Sequence, residues 1–183
     1  MRFIAERMEQ RVFASESGFE FAEFMVLCFL AFMVPFIIGH PQLLVGVLVN
    51  AFLVLSALNM GMKKVGVLAA LPSLGALARG MLFGPFTFSL VFMLPFIWAG
   101  NLVLIWAIKE FVAGRRMNFL ASIGIGAVAK AGLLFCSAYV LLQFGLLPAL
   151  FLEAMGVLQL VTAVAGGILA FALWKAGIRL GFF

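Results

Sequence analysis

Long apolar stretches, separated by short polar or Gly/Pro-containing segments, dominate the chain. No formally charged residue occurs from 24 to 62, and Gly39-His40-Pro41-Gln42 divides this stretch in two. Apolar stretches of about 20 residues are long enough to cross a bilayer as helices. Segment 145–155 is apolar but broken by Pro148, which predicts a loop or half-helix at the membrane surface. The pattern predicts a six-helix membrane bundle, with spans at 19–38, 43–61, 65–83, 86–108, 118–143 and 156–174.

The first eighteen residues have a different pattern. At 100° per residue, Ile4, Met8 and Val12 share one face of a helix, while Glu6 and Glu9 lie opposite. This predicts an amphipathic interfacial helix over 1–18. A frayed tail is the alternative, because so short a helix is marginal without the membrane. The division into domains is then 1–18, the amphipathic segment, and 19–183, one six-helix membrane domain.

The helix start after this segment has its own signal. Ser17 and Glu20 have the spacing of a capping box, in which the two side chains bond free amides of the first helical turn. The first span is therefore expected to begin at this point.

The basic residues predict the orientation. Cytoplasmic connections of membrane proteins collect Lys and Arg. In the six-span arrangement, ten of the 12 basic residues fall on one side, and both termini are then cytoplasmic. The ten are Arg2, Arg7, Arg11, Lys63, Lys64, Lys109, Arg115, Arg116, Lys175 and Arg179. The two exceptions, Arg79 and Lys130, lie within predicted spans.

The amino-acid composition argues against several classes of function. With 66% apolar and 10% charged residues and a mean hydropathy of +1.26, the chain is expected to be a multi-pass protein of the cytoplasmic membrane. It has no Asp, a single His and two distant Cys, so no metal or cofactor is expected. It has no P-loop, so ATP-driven work would need a partner. Membrane orientation explains the +5 charge, which argues against nucleic acid as a partner.

Charged residues inside a bilayer are costly and need a partner or a wet cavity. Lys130 lies near the middle of its predicted span, Arg79 lies toward the outer end of its own, and Glu153 follows Pro148 in the outer connection. An ion pair of Glu153 with either cation is the structural interpretation. Binding of a ligand by the same charges is the functional one.

Amides in three other spans allow the same two interpretations. Such amides often join helices by hydrogen bonds. Together with the charges and with Phe83, Phe86, Phe92, Trp98 and Tyr139, they are alternatively predicted to line an outward-facing cavity for a small, partly aromatic and anionic solute. The predicted substrate-binding residues are Asn50, Arg79, Asn101, Lys130, Glu153 and Gln159.

Four sequence runs carry a family resemblance. They are V-G-V-L-V-N-A-F-L-V-L-S-A (45–57), L-P-S-L-G-A-L-A-R-G-M-L-F-G-P-F (71–86), P-F-I-W-A-G-N (95–101) and F-L-E-A-M-G-V-L-Q-L-V-T-A-V-A-G-G-I (151–168). With the six-span arrangement, they resemble the substrate-capture (S) components of energy-coupling factor (ECF) transporters, in an orphan branch that has no assigned substrate. The resemblance covers roughly residues 43–178.

The resemblance implies a monomeric six-helix bundle that binds a micronutrient or vitamin-like solute at its outer end. It implies as partners membrane lipid, a transmembrane coupling subunit and two ATPase subunits. Asn50, Arg79, Glu153 and Gln159 would lie near the family's binding region, with Asn101 and Lys130 deeper. Nickel and cobalt members carry a His directly after the initiator Met, whereas this chain begins M-R-F, which argues against those metals.

Two further functions compete with substrate capture. A non-catalytic structural or assembly subunit of a larger membrane complex would use the same polar residues only to join helices. A membrane-embedded enzyme needs a nucleophile with a base. His40 is the single histidine, and Ser137 has none in its own span, so the protein is not expected to be an enzyme.

Overall fold

The computed structural model describes residues 18–80 and 84–179, and these form helices and short connections without a strand. Apart from residue 18, the predicted interfacial helix over 1–18 lies outside the described residues, and so does Ser17 of the predicted capping box. A short 3-10 helix, Gly84–Ser89, precedes the α-helix that begins at Leu90, and a π-helical segment, Lys109–Gly114, extends that helix. The α-helices are α1 Gly18–Ile37, α2 Gln42–Asn59, α3 Met62–Arg79, α4 Leu90–Ile108, α5 Phe119–Gln143, the short α6 Leu150–Met155 and α7 Val157–Arg179.

Five segments are long and apolar enough to cross a membrane: Glu20–Ile37, Gln42–Asn59, Phe86–Gly114, Phe119–Gln143 and Leu150–Arg179. Helix α3 has a similar length of 18 residues, but three basic residues make it less apolar. The described chain is thus an all-helical bundle with five or six long apolar helices.

The outer surface of the bundle is apolar. Large side chains such as Phe29, Phe88 and Phe144 are 61%, 74% and 74% exposed. Soluble monomers rarely expose apolar patches beyond a few hundred Å². Such a surface suits lipid, and this indicates a membrane protein.

Small residues set the closest helix pairs. A Cβ on Gly166 of α7 would lie 2.5 Å from the carbonyl oxygen of Val47 in α2, so these backbones are in direct contact. A Cβ on Gly75 of α3 would overlap the carbonyl oxygen of Phe32 in α1. Helices in membranes associate closely through such small residues. The main pairs are α2 with α7, α1 with α3, and α4 with α5.

Most helix bounds follow the local signals, but two helix ends differ from the predicted spans. Helix α7 continues past residue 174 to Arg179, because the helix does not end where the apolar run meets its first lysine. The third span was predicted to reach residue 83, but α3 ends at Arg79, because Gly80 adopts a left-handed φ of 73° that stops the helix. Helix α5 begins after Asn118, whose side chain accepts a hydrogen bond from the amide of Leu120 at 2.9 Å. The predicted half-helix of the 145–155 segment is α6.

The two ends of the bundle differ in charge and packing. The basic end, defined by Lys63 at the start of α3 and Arg179 at the end of α7, contains most of the larger apolar core. This core includes Leu58, Leu104 and Trp174. The opposite end has a smaller core around Met93, Leu134 and Phe151. We name it the cavity end, because a polar cavity opens beside this core.

Candidate functional site

Three polar side chains from three helices meet in the middle of the bundle. Lys130 of α5 donates to the Oδ1 of Asn50 in α2 at 2.6 Å. The Nδ2 of Asn50 donates to the Oγ1 of Thr162 in α7 at 3.2 Å and to the carbonyl of Gly46 at 2.9 Å. Lys130, Asn50 and Thr162 are each at most 2% exposed. A chain of hydrogen bonds therefore links α2, α5 and α7 inside an apolar bundle.

Glycines allow the helices that carry these polar side chains to approach closely. A Cβ on Gly46 would lie 2.8 Å from the Cγ2 of Thr162, and one on Gly166 would lie 2.7 Å from the Cβ of Asn50. Helices α2 and α7 thus approach closely enough for Asn50 to reach Thr162. The stem of Lys130 passes over Gly100 of α4, where an added Cβ would lie 3.4 Å from its Cγ.

A cavity of about 90 Å³ lies beside this cluster. It extends from Gln42 and Leu90, the first residues of α2 and α4, to Asn101 and Lys130 in the bundle interior. Its mouth is therefore at the cavity end. Its polar walls are formed by Gln42, Asn50, Ser73, Asn101, Lys130, Gln159 and Thr162.

Some polar groups of the walls are already bonded within the protein. The Nδ2 of Asn101 donates to the carbonyl of Ala69 at 2.7 Å, and the Ser73 hydroxyl accepts from the indole of Trp98 at 2.8 Å. Among the described residues, no group donates to the Oδ1 of Asn101 or bonds the side-chain amide of Gln159. These two amides therefore offer hydrogen-bonding capacity to a solute.

The structure brings together four of the six predicted site residues: Asn50, Asn101, Lys130 and Gln159. Their role in binding a substrate remains a prediction, but their common position on one cavity wall is a structural fact.

Arg79 and Glu153 lie elsewhere. The Nη1 of Arg79 donates to the carbonyl of Phe36 at 2.7 Å and to that of Ile37, so this guanidinium caps the end of α1. Glu153 is exposed on α6. In the described part of the chain, neither Arg79 nor Lys130 pairs with Glu153. A substrate-binding role for Arg79 and Glu153 remains a prediction from the sequence.

The predicted aromatic walls are wrong for the described residues. Phe86, Phe92 and Tyr139 are 45%, 46% and 50% exposed, and Trp98 lies behind Ser73. Phe83 lies outside the described residues. In a chain with 22 Phe, many aromatic side chains occupy lipid-facing positions. An aromatic residue close in sequence to a polar one is therefore weak evidence that it lines the cavity.

Three polar residues of the cavity were not predicted from the sequence: Gln42, Ser73 and Thr162. Thr162 had a usable signal, because it follows Gln159 by three residues and therefore shares its helix face. Ser73 and Gln42 each follow a proline at a helix bend or helix start, and their direction could not be inferred before the helices were placed.

The chemistry of the cavity is that of a binding site for a polar solute. It presents one cation, amides and hydroxyls in an otherwise apolar wall. Within the described ranges, no group of three or more His, Cys, Asp or Glu side chains is placed to hold a metal ion.

No family model, curated protein or solved structure matches this chain. Its function must therefore be inferred from the chemistry of the cavity and the form of the bundle.

Proposed function

We propose that the protein is the substrate-binding membrane subunit of an ATP-driven, ECF-type uptake transporter for a small micronutrient or vitamin-like solute. The observation that carries this proposal is Lys130, a fully buried cation on the wall of a polar cavity, whose only hydrogen bond to a described residue is to the amide of Asn50. Charged residues inside a membrane bundle mark solute and ion sites, because bare burial would be costly.

The charge distribution gives the proposed orientation. Apart from Arg79 and Lys130, the described basic residues lie at the basic end, in helix ends or in the connection from α4 to α5: Lys63, Lys64, Lys109, Arg115, Arg116, Lys175 and Arg179. By the positive-inside rule, that end faces the cytoplasm. With α3 as a sixth crossing, both termini are cytoplasmic and the cavity opens outward, where a capture subunit meets its solute.

The proposal requires partners in the cytoplasmic membrane. The chain has no P-loop, so ATP hydrolysis would be performed by two ATPase subunits, joined to this bundle by a transmembrane coupling subunit. The sequence resemblance to S components supports this arrangement.

Native mass spectrometry of the protein, purified gently from its own host membrane, tests the proposal. We expect one small-molecule adduct per chain and copurifying ATPase subunits. A stoichiometric protein complex with neither ATPases nor a bound solute would contradict substrate capture.

That outcome would favour the second candidate, a structural or assembly subunit of a membrane complex. One observation supports it: Asn50 and Asn101 both donate hydrogen bonds within the bundle, to Gly46 and Thr162 and to Ala69, as amides that only join helices do. In that case Asn50→Ala and Asn101→Ala would impair folding rather than binding of a solute.

A further inference from the structure

We infer that the cavity binds a small aliphatic carboxylate, whose negative charge is neutralised by the Lys130 ammonium. This inference rests on the proposed function and names the class of solute. A carboxylate with a neighbouring hydroxyl, such as glycolate, matches the unpaired groups on the cavity walls best.

The charge of the site is the first argument. An ammonium group has three N–H donors, and the described residues bond Lys130 only through the Oδ1 of Asn50 at 2.6 Å. An amide oxygen supplies no counter-charge, and a buried charge without a counter-charge is strongly unfavourable. An anion in the adjoining cavity supplies the missing negative charge and accepts hydrogen bonds from the remaining N–H groups of Lys130.

The protein's own carboxylates do not fill this role in the described structure. Glu153 is exposed on α6. Glu110 pairs with Arg115 at 3.1 Å, and Glu20 pairs with Lys64 at 3.2 Å, both at the basic end. Glu23 also lies at that end, where its Oε1 accepts from Asn59. No described carboxylate therefore supplies Lys130 with an opposite charge, and an anion bound in the cavity would do so.

The size of the cavity is the second argument. Its volume of about 90 Å³ is far below the roughly 300–1,000 Å³ of pockets that take drug-sized ligands. On the same measure a water molecule needs roughly 10–15 Å³, so the cavity has room for a small solute of at most about six to nine non-hydrogen atoms. A bicyclic vitamin exceeds this volume.

The lining is the third argument. No aromatic side chain is among the described residues that form the walls, so the site offers no stacking surface for a ring. The Oδ1 of Asn101 and the amide of Gln159 can bond a hydroxyl beside the carboxylate. Lys130 and Asn101 line the same small cavity, so one solute can contact both side chains.

Equilibrium dialysis of the full chain in detergent micelles tests this inference with four radiolabelled probes: glycolate, acetate, acetamide and benzoate. We expect glycolate to bind at one per chain and acetate to bind more weakly. Neutral acetamide has the same number of non-hydrogen atoms as acetate, and we expect it not to compete. Benzoate is expected to bind more weakly than acetate, because the walls offer its ring no aromatic surface.

Lys130→Met should lower glycolate affinity about 30-fold or more, because a charge-assisted contact in a desolvated site is lost. Lys63→Met, at an exposed lysine of the basic end, is the matched control and should leave affinity unchanged. Circular dichroism would establish that both variants keep their helices.

Three results would overturn the inference. Lys130→Met could keep wild-type affinity for glycolate, benzoate could bind as well as acetate, or no anionic probe could bind. If acetamide alone binds and Gln159→Leu abolishes its binding, the solute is not an anion and the carboxylate inference fails. The proposal that the cavity binds a solute is then retained. If no probe binds and host-purified protein carries neither a solute nor ATPases, the proposed function fails as well.

Discussion

Two buried asparagines on α2, Asn59 and Asn50, have opposite surroundings. At the basic end, Asn59 donates to the Oε1 of Glu23 at 2.5 Å and accepts from the indole of Trp174 at 3.0 Å. At the cavity end, Asn50 also donates and accepts, but its acceptor oxygen receives Lys130, which lies beside an open volume. Both side chains are 1% exposed, so burial alone does not distinguish them.

The two clusters differ in the charged group that they contain and in what lies beside it. The Asn59 cluster contains the carboxylate of Glu23, and large apolar side chains pack around it. The Asn50 cluster contains a cation and, among the described residues, no carboxylate. A polar cluster enclosed in the apolar core joins helices, whereas a cation that lies beside a cavity, with no carboxylate among the described residues around it, has the form of a binding site.

Asn59→Leu is expected to have the largest effect on stability. It removes the acceptor of the Trp174 indole and the donor to Glu23, so the free energy of unfolding should fall by about 2–4 kcal/mol. Denaturant titration in detergent micelles measures the loss, and the folded fraction should bind glycolate normally. A loss of binding at unchanged stability would contradict the contrast between the two clusters.

Gly166→Ala should have the next largest effect, and it should extend to the site. The new Cβ would meet the carbonyl of Val47 and the Cβ of Asn50, so α2 and α7 must separate, at about 1–3 kcal/mol of stability. Glycolate binding should weaken as well, because Asn50 moves.

Gly132→Ala in α5 is the matched control. Nothing lies within 4 Å of its added Cβ, so stability should be unchanged or rise by up to about 1 kcal/mol, and binding should not change. Equal losses in both glycine variants would show that helix approach at Gly166 is not the cause.

Thr162→Val should have the smallest effect. It removes the hydroxyl that accepts from Asn50 at 3.2 Å, with an expected loss of about 1 kcal/mol in the free energy of unfolding. Thr162→Ser keeps the hydroxyl and should retain most of that stability. The same titration compares the two variants, and identical behaviour would mean that the hydroxyl does not support Asn50.

The helices were largely predictable because their boundaries are local. The Gly39 to Gln42 segment, Asn118 and the Gly145 to Pro148 segment interrupt the apolar pattern, and the helices end or begin there. The end of α3 was misplaced because Gly80 stops the helix inside an otherwise apolar run.

The site was predictable only in part. Buried amides and the central lysine stand out in an apolar sequence, and Asn50, Asn101, Lys130 and Gln159 do share one cavity. The position of Arg79 depends on which helix α3 packs against, and only the structure shows that its guanidinium reaches the end of α1. The structural role of Asn59, the counterpart of Asn50, could not be predicted either, because its partners lie on two other helices.

The melting temperature of Lys130→Met, with and without glycolate, tests the central claim most directly. Without solute, this variant loses one bond to Asn50 but also removes a buried charge, so it should melt at or above the wild-type temperature. Glycolate should raise the melting temperature of the wild type and leave the variant unchanged, because binding to the native state stabilises it. A loss of melting temperature as large as that of Asn59→Leu would contradict the claim and make Lys130 a structural residue.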